Sequence, residues 1–501
     1  MKSRSILIVA ILLAVTDFQL CAQQMLSSGP GVGLMDDTLT TAPSPAIKPL
    51  PVLIAMQRVA DWQLAHPPSY PVTSWDQGAG DAGFMALAGI SGDLKYRDAM
   101  LAIGTNTEWQ LGPRKYMADD ECIGQLYTEL YFLYREPQMI APMRERFDAI
   151  LAQPPAVQSL DFSQPGHGQD SWSWCDALFM APPAWMRLYA ATDDERYMDF
   201  AVTNWWRTTD FLYDTNEHLF FRDSTYFDKR APNGEKIFWS RGNGWVMAGL
   251  VRMLQYLPMN HPDRPRFEQL FKDMADKILA CQQPDGLWRV SLLDPNSYPD
   301  PEASGSALDT YALAWGVNQG LLDRATFEPA VRKAWTALIG CVDENGRLSH
   351  VQPPGGSPGK FSPDTTEIYG VGAFLLAGSE VYRMAVMEQN NNSLNHPVMV
   401  RISVTNPANF RRDCETVEVT TREFTRTFTG PLDWLRDNAK QLAVMDAVSS
   451  RILDSQIESY PFTSQSVSDN TAETLLFQVD LAPGETRTYY ILDASVLAAV
   501  P

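Results

Sequence analysis

Residues 239–257 read WSRGNGWVMAGLVRMLQYL, and a change of pattern inside this stretch decides the fold. Its first seven residues mix indole, hydroxyl, guanidinium, glycine and amide. From there apolar side chains recur at Val246, Leu250, Leu254 and Leu257, the spacing of one helix face. A polar, aromatic mouth thus runs into an apolar helix. The same transition recurs in GAGDAGFMALAG from 78, DDECIGQLYTELY from 119, WSWCDALFMAPPAW from 172, SGSALDTYALAWG from 304 and EIYGVGAFLLAG from 367. These six segments are predicted to be inner helices.

Between them lie more amphipathic stretches near 51–66, 94–104, 137–152, 194–209, 265–282 and 326–342, each charged on one face. Turns such as Ser91-Gly92-Asp93-Leu94 and Thr192-Asp193-Asp194-Glu195 place Asp where it can cap the next helix. A repeated helical hairpin cannot bury its apolar face alone, so the units must stack. Closing the stack into a ring removes both raw ends. The expectation is an all-α (α/α)6 barrel over residues 46–386. An open helical solenoid fits less well, because polar and aromatic residues gather at the N-terminal ends of the inner helices, as convergence on one cavity requires. After Asn390-Asn391-Asn392 period two replaces period 3.6: Val398, Val400, Ile402 and Val404 alternate, and Thr474–Leu481 and Thr486–Leu492 read as strands around Ala482-Pro483-Gly484. Residues 396–501 are predicted to form a small C-terminal β-sandwich module packed against the barrel.

The chain has 501 residues, 45% of them hydrophobic, with 14 Trp, 18 Tyr and 22 Phe, enough for a large core. Forty Lys and Arg against 60 Asp and Glu leave a formal charge of -20. Nucleic acid is excluded as a partner, because phosphate binding needs clustered cations. Lys2 and Arg4 precede an apolar run from Ile6 to Val15, with Cys21 and Ala22 at a cleavage-like site. Residues 1–22 therefore read as a secretory signal and 23–45 as a linker, implying a secreted or periplasmic protein. That run is too short to span a bilayer, and no later stretch supplies the ~20 apolar residues a spanning helix needs. Cys122, Cys175, Cys281, Cys341 and Cys414 show no disulfide or zinc spacing, and the sparse histidines form no HExxH pair. No metal and no cofactor are expected.

Trp75, Trp172, Trp174, Trp239 and Trp245 ring the expected cavity and suit sugar rings, with core packing a competing use for some of them. The acid/base candidates are Asp76, Asp119, Asp120, Asp170, Asp176, Asp309 and Glu367, with His167 and His218 in loops. Asp176 stands out. Trp174-Cys175-Asp176-Ala177-Leu178-Phe179-Met180 buries a carboxylate among aromatic and apolar neighbours, which raises its pKa toward neutrality. Asp119 or Asp120 could orient water or tune it, although Asp120 reads equally well as a helix N-cap. Arg241 lies between Trp239 and Trp245, where it could clamp a carboxylate bidentately or stack as structural cation-π packing.

ADDECIGQLYTELY, WCDALFMAPP, WSRGNGWVMAGLVRML, SGSALDTYALAWG and YGVGAFLLAGSEVYR together resemble the unsaturated rhamnogalacturonyl hydrolases, glycoside hydrolase family 105, related to the unsaturated glucuronyl hydrolases of family 88. The resemblance spans about residues 50–385 and implies an (α/α)6 barrel. It implies an enzyme that removes a 4,5-unsaturated uronic acid from lyase-made oligosaccharides by hydrating the double bond. By the same resemblance Asp176 protonates C4 and then accepts a proton from the water adding at C5. Asp120 or Asp119 is the second carboxylate, Trp174 stacks on the unsaturated ring, and His218, Trp239, Arg241 and Trp245 match segments lining the sugar site. His167 lies where the match is loose. The partner is then a small oligosaccharide: unsaturated galacturonyl-rhamnose from rhamnogalacturonan first, an ulvan or glycosaminoglycan fragment second. A polysaccharide lyase and a non-catalytic glycan-binding protein are the other readings. An acidic protein repels a long polyanion, yet a local cation such as Arg241 can hold one terminal carboxylate.

Overall fold

The computed structural model describes residues 8–10, 43–91, 93–164, 168–393, 398–406, 410–420, 442–446, 452–461 and 471–493. Among these, outer and inner helices alternate six times along the chain. Outer α1 (Pro49–Ala65) precedes inner α2 (Trp75–Ser91), and outer α3 (Leu94–Asn106) precedes an inner position split into α4 (Ala118–Glu121) and α5 (Gly124–Tyr134). Outer α6 (Ala141–Ala152) precedes α7 (Ala177–Met180) and α8 (Pro182–Thr192); outer α9 (Glu195–Leu212) precedes inner α10 (Ser240–Leu254). Outer α11 (Arg264–Cys281), inner α12 (Ala303–Asn318), outer α13 (Arg324–Ile339) and inner α14 (Ile368–Ser393) complete the series.

Local chemistry explains where these helices start and break. Asp93, Asp194 and Asp323 accept the backbone N–H groups of Lys95, Arg196 and Thr326, so α3, α9 and α13 begin with a satisfied cap. Pro182 and Pro183 fall in the first turn of α8, where a missing N–H is harmless, and they cut α7 off as a separate turn. Every residue of α10 is buried, as an inner helix requires. Between inner α8 and outer α6 and α9, Trp185 lies between Phe147 at 3.9 Å and Phe200 at 4.0 Å. Such pairs add about 0.5–1.5 kcal/mol each beyond the area they bury.

The ring closes where the first and last inner helices touch backbone to backbone. A Cβ on Gly83 would sit 2.3 Å from the carbonyl oxygen of Gly372, and one on Gly372 would sit 2.3 Å from that of Ala79. Only glycine permits this approach of α2 to α14.

The described residues form two compact units, one of 43–317 with 322–382, the other of 8–10, 318–321 and those from 383 onward. The second unit holds β1 (Ile8–Ala10), while a short hairpin in the first supplies β2 (Tyr213–Asp214) and β3 (Leu219–Phe220). Strands β4 (Val398–Thr405), β5 (Arg412–Thr420), β6 (Leu442–Asp446), β7 (Ile452–Leu453), β8 (Ser455–Pro461), β9 (Thr471–Leu481) and β10 (Thr486–Asp493) follow. They make two antiparallel sheets, ordered β1-β4-β10-β6-β7 and β5-β9-β8. The period-two pattern thus produces strands, but β9 and β10, on either side of the 482–485 turn, pair in different sheets rather than with each other. Residues 8–10, inside the leader-like segment, lie antiparallel to 403–405; the rest of 1–22 and most of 23–45 fall outside the described residues. Among the described residues no helix is long and apolar enough to cross a membrane.

The seam is directly testable. Gly372→Ala is expected to cost about 1–3 kcal/mol through overpacking. Gly89→Ala, in the same seam helix α2 but with nothing within 4 Å of its Cβ position, is expected to add about 0.5–1 kcal/mol. Calorimetric melting of both variants checks the contrast, and equal shifts would show that the seam does not hold the ring.

Candidate functional site

Each inner helix brings a polar side chain to its N-terminal end. Asp76 lies in the first turn of α2, Asp119 in α4, Asp176 immediately before α7, Arg241 in the first turn of α10, Glu302 before α12 and Glu367 before α14. Their mutual electrostatics reveal a common mouth: Asp119 responds to Asp176 and Arg222, Asp176 to Arg222 and Arg241, and Asp76 to Glu367 and Arg241.

Asp176 is only 9% exposed. Burial pushes its pKa up, and Arg222, whose Nε lies 3.8 Å from Oδ2, is the strongest influence pulling it back. The Cys175 thiol also donates to that oxygen at 3.4 Å. Arg222 itself is held from three sides. Its Nη1 donates to Asp223 at 2.6 Å, its guanidinium covers the Phe162 ring at 4.3 Å, and its carbonyl accepts the Cys175 N–H at 2.8 Å. The β2–β3 hairpin returns the chain so that 222–223 runs beside 174–176, with Trp174 bridged to Asp223. Sequence reading missed Arg222, which belongs to no repeat; its signal is an Arg-Asp pair directly after the hairpin strand.

The two neighbouring carboxylates separate cleanly. Burial, and then the charge of Asp176, push Asp119 up to about 7. Asp120 instead accepts the Arg114 backbone N–H at 2.6 Å, its Nε at 3.1 Å and its Nη2 at 2.6 Å. Asp120 is therefore an anchor for the 112–116 loop, and the capping alternative gives way, since Met117 occupies the N-cap position of α4.

Arg241 is fully buried, over Trp239 at 4.5 Å and Tyr369 at 5.0 Å. Its Nη1 donates to the Gln352 carbonyl at 2.6 Å and its Nη2 to that of Pro353 at 3.0 Å. Its fork thus grips the 352–357 loop, so the stacked, structural use predominates over a free clamp. Gln352 ties the same loop to three inner helices: its N–H reaches Glu302 at 3.0 Å, its Oε1 accepts from Trp239 Nε1 at 2.8 Å, and its carbonyl also accepts from Tyr369 at 2.6 Å. The loop's Gly356 then passes over Arg222, where a Cβ would lie 3.1 Å from Nε.

The other expected site residues divide. Trp75 is half-buried, stacked on Tyr369 at 5.1 Å and edge-on to buried Trp245 at 6.3 Å. Trp174 is a wall beside Phe162 at 6.2 Å. Trp172 turns toward outer α9, edge-on to Phe200, and with Asp170 lines a separate small cleft. His218 bonds Tyr213 Oη at 2.9 Å within its own hairpin, whose Glu217 pairs with Lys277 of outer α11. Asp309 is fully buried in α12, pushed well above the usual carboxylate range, and has no hydrogen-bond partner among the described residues. His167 lies outside the described residues.

Raised carboxyls, indoles and the guanidinium groups of Arg222 and Arg241 meet at one mouth on a ring of paired helices, an arrangement that suits a polar, ring-shaped ligand. Residues 51–385 match Glycosyl Hydrolase Family 88, and the chain belongs to that family of glycoside hydrolases. A Formosa agariphila protein named unsaturated 3S-rhamnoglycuronyl hydrolase is 41% identical over 339 residues, 66% of this chain and 90% of that one. An Alteromonas sp. strain LOR protein of the same name is 35% identical over 347 residues, 65% of this chain and 84% of that one. A solved structure named polysaccharide lyase superposes with a TM-score of 0.61 at 31% identity, over 68% of this chain and 98% of that one.

The two neighbours should behave oppositely in stability. Asp119 has a folded pKa raised above its unfolded value, so it lowers stability as pH rises from about 4 through about 7. Asp119→Asn is expected to raise the melting temperature near pH 8 and leave it unchanged below about pH 4. Asp120→Asn is expected to lose about 1–2 kcal/mol near pH 8, a figure reduced because Arg114 is largely exposed. Melting curves at the two pH values decide it.

Proposed function

We propose that this enzyme removes a 4,5-unsaturated uronic acid from the non-reducing end of short lyase-made oligosaccharides in which the next sugar is rhamnose. The observation that carries this reading is the Formosa relative, 41% identical over 90% of its length and named for an unsaturated 3S-rhamnoglycuronyl unit. That name favours a rhamnose bearing a 3-sulfate over the unsulfated pectic unit that the sequence motifs suggest first.

The chemistry is the hydration that the family resemblance implies, and the surroundings of Asp176 support it. Protonated Asp176 gives its proton to C4, leaving positive charge shared between C5 and the ring oxygen. Water then adds at C5 and returns a proton to the Asp176 carboxylate, which Arg222 at 3.8 Å stabilises in the interval. The hemiketal formed at C5 opens to a ketone, and the acetal carbon, now a hemiacetal, collapses to an aldehyde and expels the rhamnose hydroxyl. Asp119, pushed up to about 7 by burial and the charge of Asp176, is the second carboxyl of this reading and holds the water or a sugar hydroxyl. One carboxyl performs both transfers, so the spacing rule for ordinary glycosidase pairs does not apply. The leader-like residues 1–22 support export to a secreted or periplasmic location, and we read the two C-terminal sheets as a β-sandwich accessory module.

The ultraviolet absorbance of the conjugated double bond tests the reading. Incubation with sulfated rhamnoglycuronyl disaccharides made by a lyase should bleach it. Asp176→Asn should slow bleaching by about 100- to 10,000-fold. Absorbance that instead rises from intact polymer would support a lyase, the alternative suggested by the name of the superposed structure. Removing the cation next to Asp176 raises its pKa further, so Arg222→Gln should move the alkaline limb of the pH–rate profile to higher pH while lowering kcat. An unmoved limb would mean that Asp176 is not the titrating acid.

A further inference from the structure

The proton-transfer chemistry leaves one polar group of the mouth unused. Asp76 and Glu367 stand at the starts of α2 and α14, the two inner helices that meet at the seam, where Ile368 fills the space over Gly80. Asp76 is 5% exposed, and its Oδ1 is buried with no hydrogen-bond partner among the described residues. An unmet buried acceptor costs about 1–3 kcal/mol, a penalty that a ligand hydroxyl would remove. The Tyr70 hydroxyl donates to Glu367 Oε2 at 2.8 Å, and Trp75, next to Asp76, is half-buried and stacks on Tyr369.

We propose that Asp76, Glu367 and Tyr70, beside half-buried Trp75, form a subsite for the sugar hydroxyls of the substrate. The proposal rests on the sugar-hydrolase reading above and deepens it. An indole face takes the C–H side of a pyranose while a neighbouring carboxyl pair receives vicinal hydroxyls. Burial, with Glu367 adding to it, holds Asp76 at about 6, and burial raises Glu367 as well. A carboxyl oxygen accepts from a sugar hydroxyl, and the Tyr70 hydroxyl already meets Glu367 in that way. The Arg241 guanidinium acts on both carboxyls and draws each of them back down, so the pair stands beside a cation. The subsite thereby orients the sugar with hydroxyls toward the seam.

Equilibrium binding in the full-length Asp176→Asn protein, where turnover is blocked, tests this. Lyase-made sulfated disaccharide is titrated against tryptophan fluorescence with and without Asp76→Ala, Asp76→Asn and Glu367→Gln. Asp76→Ala should weaken Kd by about 10- to 100-fold, and Asp76→Asn by less, since an amide still meets a hydroxyl. With Asp176 restored, the Asp76→Ala loss should fall on KM and not on kcat. A Kd within twofold of the parent, or a loss confined to kcat, would overturn the subsite. Near-ultraviolet circular dichroism identifies a variant that has not folded, and Asp76→Asn and Glu367→Gln then decide the question. If the parent binds no unsaturated disaccharide, the substrate reading itself fails. Methyl rhamnoside then replaces the disaccharide in the same comparison, where an absent Asp76 effect again overturns the subsite.

Discussion

Everything at the mouth depends on the contact of Gly83 with Gly372. There the first and last inner helices touch backbone to backbone, at a distance that any Cβ would forbid. Because those helices meet, the six inner N-termini face one another, and residues spread from 76 to 367 share one small volume. Six helix ends aimed inward carry partial positive charge, which favours anions by about 0.3–1 kcal/mol each. Desolvation acts against them and prevails. Asp119 titrates near 7 and Asp176 is shifted upward, although both sit at helix starts that would lower an exposed carboxyl.

The cations show how position overrides identity. Arg241, between two indoles, is fully buried and holds the 352–357 loop through main-chain carbonyls. Arg222, in an unremarkable stretch, is the group that faces Asp176. A net charge of -20 therefore coexists with a mouth in which Arg222, and more weakly Arg241, lower the pKa of Asp176. That arrangement suits a short ligand better than an extended polyanion.

Much of the architecture was legible because its causes are local. Helical periodicity, aspartate caps and the Pro182-Pro183 break are written within a few residues of where they act. The burial of Asp176 was legible for the same reason, since its neighbours in sequence are its neighbours in the core. The placement of Trp172 against α9, of His218 in its hairpin and of Asp309 inside α12 was not legible, because each depends on which side of a helix or loop faces the axis. The strands flanking the 482–485 turn teach the same lesson, for alternation identifies strands but not their partners.

By itself the sequence determined the repeat of paired helices, the change to strands near residue 398, the family and the burial of the Asp176 carboxyl. Those follow from periodicity, local burial and motif order. Only the tertiary structure decided that Asp119 rather than Asp120 is coupled to Asp176, that Arg222 rather than Arg241 stands beside it, and that Asp76 and Glu367 share a seam. The reason is physical. Electrostatic coupling falls off with distance through space, and the distances between these groups are set by closure of the ring, which no stretch of sequence contains.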